Sequence, residues 1–372
     1  MRVLVTGGAG FIGSHLVDRF LEEGFQVRVL DNFDPKIHPG GQLNGASHAR
    51  LEFMKGDVTD RNALLTALED VDIVSHQAAY QDYMLDFSRF VRVNAVGTAL
   101  LYELILQERL KVKKVIVASS QAVYGEGQYV CSAHGFFLPV PRSRQQLSLA
   151  QWEVKCPQCD ELAAPCLLQE DHTNPYNQYA VSKFAQEKIA LGLGWLHGIP
   201  TVALRYSITQ GPGQSLFNQY SGICRIFVGR ALKNEALIIY EDGLQTRDFV
   251  HIDDVVDANI RVLQEDADFQ TFNVGSGKPT TVLEYANLVR AKLSSDIGLT
   301  VSGEYRRGDN RHSVSSIEKL RLLGWSPKRD LSTVLDDFLA WVDSIGGVPE
   351  HMHDAYGDMR RAGVVLRATA AS

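Results

Sequence analysis

Tyr179 and Lys183, in Tyr179-Ala180-Val181-Ser182-Lys183, stand one helical turn apart. On a helix their side chains share a face. An ammonium beside a phenol lowers the phenol's pKa, so Tyr179 is expected to act as a phenolate base near neutral pH. Ser120, in Ser119-Ser120-Gln121-Ala122-Val123-Tyr124-Gly125, offers a hydroxyl to a substrate oxygen. Near the N-terminus, Val3-Leu4-Val5-Thr6 runs into Gly7-Gly8-Ala9-Gly10-Phe11-Ile12-Gly13. Glycines at this spacing permit a tight turn and let backbone amides approach a pyrophosphate on a helix N-terminus. Asp31 follows Gly13 by eighteen residues. An acid at that place accepts from ribose hydroxyls and repels a 2′-phosphate, which favours NAD over NADP. Taken together, these residues imply hydride and proton exchange between NAD and a carbinol, with Lys183 also holding the nicotinamide ribose.

Such groups need strand ends to carry them. Residues 2–6 read as a buried strand and 11–22 as a helix, with Ile12, Leu16, Val17 and Phe20 at helical spacing. Further strands are expected at Gln26–Leu30, Leu51–Lys55, Asp72–His76, Lys114–Ser119 and Thr201–Tyr206, and helices at Asn94–Gln107 and 176–196. This alternation predicts an α/β fold: a Rossmann-type, doubly wound parallel sheet with ligand at the carboxyl ends of its strands. Asp57, ending the third strand, is a candidate for the adenine edge or a plain turn residue.

Domain organisation follows from where the alternation breaks. Residues 1–206 form the dinucleotide-binding domain, interrupted at 126–172 by a self-contained loop module. Residues 207–345 form mainly a smaller substrate-binding lobe, with helices at 217–233, Asp254–Gln264 and Val282–Leu293 and strands at Ala236–Tyr240 and Phe249–Ile252. Residues 346–372 read as a poorly anchored tail, and no internal repeat is seen.

The loop module holds four of the five cysteines. Cys131-Ser132-Ala133-His134 and Cys156-Pro157-Gln158-Cys159 are two ligand knuckles. Cys131, His134, Cys156 and Cys159 therefore make a candidate structural zinc site, which would staple a loop with little core of its own. Cys166 is a spare ligand should His134 not serve. Free thiols, or a redox pair at Cys156 and Cys159, are the other readings. Cys224 reads as a core residue.

Composition bounds the class. The chain has 372 residues, 45% hydrophobic and 22% charged, with a net charge of −7. These are ordinary values for a globular enzyme and weigh against nucleic acid as a partner. No apolar run is long enough to span a membrane, and no secretory signal is expected, so a cytoplasmic, reducing location is read.

The full set of motifs resembles the extended short-chain dehydrogenase/reductases, and within them the nucleotide-sugar epimerases and dehydratases, from residue 1 to about 340. Its carriers are Gly7 to Gly13, Asp57-Val58, His76-Gln77-Ala78-Ala79, Asn94, Ser119-Ser120, Tyr179 with Lys183, and Leu204-Arg205-Tyr206. Gly211-Pro212-Gly213, Arg247-Asp248-Phe249-Val250-His251, Asn273 to Gly277, and Arg306-Arg307-Gly308-Asp309 with Leu323-Gly324-Trp325 complete it. The resemblance implies a homodimer with bound NAD and a nucleoside-diphosphate sugar as substrate. It adds Phe11, Ile12, Asn32, Val58, Gln77, Ala78, Ala79, Asn94, Ser119 and Tyr206 to the cofactor contacts. For the sugar diphosphate it implies Ser120, Gln121, Arg247 and Arg306, with Arg307 as an alternative to its neighbour, since guanidinium forks match phosphate.

The implied reaction oxidises carbon 4 of the sugar by hydride loss to NAD while Tyr179 takes the hydroxyl proton. A 4-epimerase then turns the 4-keto sugar over and returns the hydride to the other face. The family's 4,6-dehydratases carry an Asp-Glu pair after the catalytic hydroxyl residue. Here Gln121 and Ala122 stand there, and neither shuttles a proton at neutral pH, so epimerisation is read ahead of dehydration or decarboxylation. A non-catalytic NAD sensor is a further alternative. Segments such as Asn218 to Ile223 and Glu241-Asp242-Gly243 look like a bacterial subgroup acting on dTDP-L-rhamnose or UDP-glucuronate. One departure concerns Ile208, which stands where the family usually has a substrate-binding Asn. Ile208 cannot make that hydrogen bond, and Gln210 is the candidate to replace it.

Overall fold

The computed structural model describes residues 1–35, 37–38, 48–82, 85–216, 222–293, 296–348 and 355–369. Seven strands form the central sheet: β1 (Arg2–Thr6), β2 (Gln26–Asp31), β3 (Leu51–Lys55), β4 (Ile73–His76), β5 (Lys114–Ser120), β6 (Thr201–Tyr206) and β7 (Gln270–Val274). Their order is β3-β2-β1-β4-β5-β6-β7, and every pairing is parallel. The order reverses between β1 and β4, the place where such sheets open a crevice for ligands.

Period-two alternation sends the β1 side chains to opposite faces. Leu4 joins Leu64, Leu68, Leu101 and Ile105 on one face. Val3 and Val5 join Leu16, Phe20, Ile252 and Val256 on the other. Both faces are thus covered by helices, which explains the continuous apolar runs within β1 and β5. The helix at Arg61–Leu68 escaped the sequence reading. Asp60 caps it, accepting from the amides of Asn62 at 2.9 Å and Ala63 at 3.1 Å, a signal that was legible. The segment expected as one helix from Asn94 begins earlier, at Phe87–Phe90. It widens into a π turn at Val91–Val96 before helix Gly97–Gln107.

The expected cut at residue 206 is not a clean boundary. Helix Ile252–Arg261 packs beside helix Phe11–Glu22, and β7 returns to the main sheet. The lobe keeps its own core around Phe227, Tyr285 and Phe338. Its first helix is Gly222–Leu232. The expected start at 217 lies outside the described residues, as do Asn218 to Ser221.

Residues 346–372 are also corrected where described. Helix Ala355–Arg361 leads into strand Val365–Arg367, which pairs antiparallel with Glu304–Arg306. Val365 and Ala368 are buried, and the Thr369 amide donates to the Ser148 carbonyl at 2.9 Å. Val365 and its neighbours give this segment an edge strand's pattern too short to stand out in sequence.

The inserted module forms a small antiparallel sheet of Tyr129–Cys131, Gly135–Phe137 and Ala164–Pro165, with helix Arg144–Ser148. It is not self-contained, because buried ion pairs tie it to the lobe. No helix among the described residues is long and apolar enough to cross a membrane.

Candidate active site

A cleft of about 1520 Å³ opens over the carboxyl ends of β1, β4 and β5 and continues into the lobe. Gly7, Gly10, Phe11, Ile12 and Gly13 line its floor. Gly7 has a φ of +68°, and a Cβ there would lie 2.8 Å from the Ala78 backbone. At Gly13 a Cβ would lie 2.1 Å from the Gly7 carbonyl oxygen. Only glycine lets this turn close so tightly. Helix Phe11–Glu22 starts at Gly10 with no side-chain cap, so its first amides remain for an anion.

Asp31 is buried at the end of β2. Its carboxylate accepts from the Ala9 amide at 3.0 Å and the Phe33 amide at 2.9 Å. Each oxygen has a further lone pair to offer a hydroxyl. Asn32 donates to Asp57 at 2.9 Å. Burial would raise the Asp57 pKa, but hydrogen bonds from Thr59 and Asn32 outweigh it and hold the carboxyl below its ordinary range. Val58, Gln77, Ala78, Ala79, Ser119 and Tyr206 also line the cleft. Asn94 does not. It is fully buried behind the wall, bridging the Tyr80 backbone and the Ser182 hydroxyl, at 2.7 Å and 2.9 Å. It therefore positions the helix of Tyr179 rather than contacting a ligand.

Helix Gln178–His197 starts at Asn177, whose side chain caps the Ala180 amide at 2.8 Å, and ends at Gly198 in the left-handed region. Ser120, Tyr179 and Lys183 all face the cleft from β5 and this helix. The Ser120 hydroxyl and the Tyr179 phenol hydrogen-bond each other. Electrostatics depart from the sequence expectation. Burial pushes the Tyr179 phenol up to about 12, with Ser120 pulling it back in part. Burial pushes Lys183, only 2% exposed, down to about 7, opposed by the charge of Glu187. Burial thus works against the phenolate that Lys183 would favour, because desolvation disfavours the charged form of both groups.

Sequence reading missed what fixes this helix. The Arg205 guanidinium from β6 grips Glu187 at 2.9 Å and 2.6 Å, and the Ser119 hydroxyl donates to Glu187 at 2.7 Å. Arg205 also reaches the Tyr124 hydroxyl at 2.8 Å, and Tyr124 donates to Asn273 at 2.6 Å. This buried network joins β5, β6 and β7 to the helix, one turn past Lys183. The i to i+4 step from Lys183 to Glu187 was the available signal.

Toward the lobe the cleft is lined by Gln121, Ile208, Arg247 and Arg306, with Met359 and Arg361 closing it from the C-terminal segment. Arg306 pairs with Asp309 at 3.1 Å and lies over the Tyr240 ring, 5.4 Å from its centroid. Gln121 accepts from the Ser313 hydroxyl at 3.2 Å. Gln210 is corrected: it is fully buried, away from the cleft, and accepts from the Tyr285 phenol at 2.9 Å. Its hydrogen bond to Tyr285, in the lobe core, holds it there, while Ile208 lines the cleft.

Cys131, His134, Cys156 and Cys159 converge, with their ligand atoms all within 4.8 Å of one another. The two cysteine sulfurs of residues 131 and 159 are 3.7 Å apart, and the His134 Nδ1 lies 3.6 Å from Cys131 and 3.5 Å from Cys156. A tetrahedron with metal–sulfur bonds of about 2.3 Å and metal–nitrogen bonds of about 2.0 Å has edges of roughly 3.5–3.8 Å. The sulfurs are much too far apart for a disulfide, about 2.05 Å. Cys166 lies outside the group, and Cys224 is buried in the lobe core.

The family model described as the NAD dependent epimerase/dehydratase family matches residues 3–140 and 159–275. The intervening gap falls within the inserted module. A dTDP-L-rhamnose 4-epimerase of Burkholderia thailandensis is 34% identical over 348 residues, covering 92% of this chain and 94% of that protein. The solved structure of MoeE5 in complex with UDP-glucuronic acid and NAD is similar with a TM-score of 0.74 at 26% identity, covering 93% of this chain and 100% of that one. The UDP-glucose 4-epimerase of Thermotoga maritima, solved with UDP-glucose, is similar with a TM-score of 0.72 at 27% identity, covering 93% of this chain and 99% of that one.

Proposed function

The chain belongs to the NAD-dependent epimerase/dehydratase family, and on that premise we propose that it is a nucleotide-sugar 4-epimerase. The observation that carries this reading is one continuous cleft. It holds the glycine turn at one end, Arg247 and Arg306 at the other, and Ser120, Tyr179 and Lys183 between them. When bound, NAD takes up and returns the hydride, and its positively charged ring favours ionisation of a phenol beside it. Gly7, Gly10 and Gly13 would hold its pyrophosphate, Asp31 its adenine ribose, and Lys183 its nicotinamide ribose. Ser120 orients the sugar hydroxyl at carbon 4. Tyr179 takes the proton from that hydroxyl and gives it back to the 4-keto oxygen after the sugar has turned over. The arginines hold the diphosphate through both half-reactions, which lets the sugar rotate without leaving.

Gln121 and Ala122 occupy the place where dehydration needs an acid and a base, so loss of water is disfavoured. Ile208 gives the sugar an apolar neighbour instead of an amide. Incubation with UDP-, dTDP- and GDP-sugars, followed by mass spectrometry and NMR, tests the proposal. The expected product has unchanged mass and inverted carbon 4. A product lighter by water or carbon dioxide overturns the epimerase in favour of a dehydratase or decarboxylase.

The Cys131, His134, Cys156 and Cys159 geometry supports a structural zinc: four protein ligands leave no open position for catalysis. Zinc is expected at one ion per chain by elemental analysis, and chelation is expected to lower the melting temperature. Metal-free protein with unchanged melting and turnover would sink this assignment. A homodimer is supported by apolar side chains left exposed on two adjacent helical segments, among them Phe87, Val91, Val96 and Val181. Light scattering decides it, a monomer mass being the contrary result.

A further inference from the structure

The inserted module carries a role that neither the glycine turn nor the Tyr179 machinery explains. Arg142, from its middle, is buried and has four partners, two inside the module and two beyond it. Its guanidinium pairs with Glu126 at 3.1 Å and with Glu241 of the lobe at 3.1 Å. It also donates to the carbonyls of Trp152 at 2.9 Å and Asp309 at 3.0 Å. Glu126 in turn accepts from the Arg311 amide at 2.6 Å. Two groups at the module thus clamp the backbone of residues 309–311.

The same backbone holds the cleft arginines. The Arg247 guanidinium donates to the carbonyls of Thr246 at 2.9 Å, Arg311 at 3.0 Å and Asn310 at 2.9 Å. Three of its five N–H donors are spent on these carbonyls, which fixes the plane and direction of the fork. The remaining two are left for a ligand. Asp309 holds Arg306 through its carboxylate. A flexible arginine loses rotamer freedom when it grips an anion, and a fork held in place beforehand has already lost it.

We propose that Arg142 is a positioning residue for the anion-binding end of the cleft: with Glu126 it sets the backbone of residues 309–311, and that backbone aims Arg247 and Arg306 at the diphosphate. The inference rests on the nucleotide-sugar reading for its ligand, not on the direction of the reaction or on the metal. Arg142 touches no substrate, so its effect passes through Arg247. It strengthens diphosphate binding and leaves NAD binding and the proton transfer at Tyr179 alone.

The test is titration calorimetry of UDP and dTDP into the full-length protein. Arg142→Met is expected to weaken nucleoside-diphosphate binding about tenfold or more. The KM for the sugar nucleotide should rise with it, while kcat stays within about threefold and NAD content is unchanged. Arg142→Met leaves Glu126 without its side-chain cation, while Glu241 keeps Arg311 at 2.9 Å, so Arg142→Lys, which keeps the charge but not the fork, serves if the first variant fails to fold. It should give an intermediate loss. The deciding measurement is the same substitution in an Arg247→Ala background. There its effect should shrink to less than about twofold, because the group it positions is gone. Undiminished weakening in that background overturns the inference, and so does unchanged affinity in a folded variant with a lower melting temperature, which would mark Arg142 as structural only. Wild-type protein that binds no nucleoside diphosphate would instead overturn the substrate reading itself.

Discussion

Tyr179→Phe is expected to lower turnover by roughly 10²–10⁴-fold, the range that a positioned acid–base group contributes, while leaving the NAD content of the protein unchanged. Tyr179 stands on the cleft wall, beside Ser120 and one turn from Lys183. Phe keeps the ring and its packing and removes only the hydroxyl. Ser120 then loses a partner but remains in the cleft, where water can replace it. The fold should hold to within about 1 kcal/mol, the usual worth of one hydrogen bond. Product formation under saturating sugar nucleotide, with bound NAD measured after denaturation, checks this. More than a tenth of wild-type turnover would remove Tyr179 from the acid–base role. A turnover-dead variant that had also lost NAD would say only that the site had collapsed.

How much of this site was legible in the sequence depended on how local its physics is. The glycine turn was legible because the left-handed φ of Gly7 and the clash of a Gly13 Cβ with the Gly7 carbonyl are both local to the turn. Tyr179 and Lys183 were legible because one helical turn sets their distance. The Cys131, His134, Cys156 and Cys159 group was legible because each knuckle is a short loop, though its closure depends on the sheet that brings residues 131 and 156 together. Arg142 was not legible, since its partners Glu241 and Asp309 lie far along the chain and meet only in the folded lobe. Gln210 was misread for a related reason. Its chemistry suited the task, but Tyr285, 75 residues further on, takes its side chain into the lobe core. The C-terminal segment was read as loose because its anchor, Glu304–Arg306, lies some sixty residues earlier.

The pKa of the Tyr–Lys pair was the least legible property, because spacing shows proximity and says nothing about desolvation. Proximity alone argues for a phenolate and an ammonium. Burial works against both, and the folded chain holds the phenol at about 12 and the amine at about 7. Burial thus displaces the acid–base range of both groups toward their neutral forms. His76, packed behind Lys183 between the hydroxyls of Thr6 at 2.8 Å and Thr98 at 3.0 Å, is held neutral, with a pKa of about 3. Burial is the main cause and the Lys183 charge adds to it.

Lys183→Met should therefore make the NAD-free protein more stable at neutral pH while abolishing its turnover. The sign follows from proton counting. The unfolded chain holds its lysine proton up to about 10.5 and the folded chain only up to about 7. Between those values the unfolded state binds more protons, so wild-type stability rises with pH across that window. Below about 7 both states are protonated, and the folded state carries the full cost of a buried ammonium. At about 1.4 kcal/mol per pKa unit, that cost is on the order of 5 kcal/mol. Methionine has a similar length and no charge, and Glu187 keeps its pair with Arg205, so the substitution strands no carboxylate. Melting of NAD-free wild type and variant, compared at intervals from pH 6 to 9, reads the effect. The variant's advantage should be greatest at the acid end, several degrees or more, and should shrink steadily toward pH 9. An advantage that stays constant with pH would trace the gain to packing and not to charge. A variant less stable than wild type at pH 6 would mean that the Lys183 ammonium has a partner strong enough to offset its burial, and that the site is held charged. The expected result places the cost of Lys183 in the folding free energy, where a residue retained for its contact with a bound cofactor can carry it.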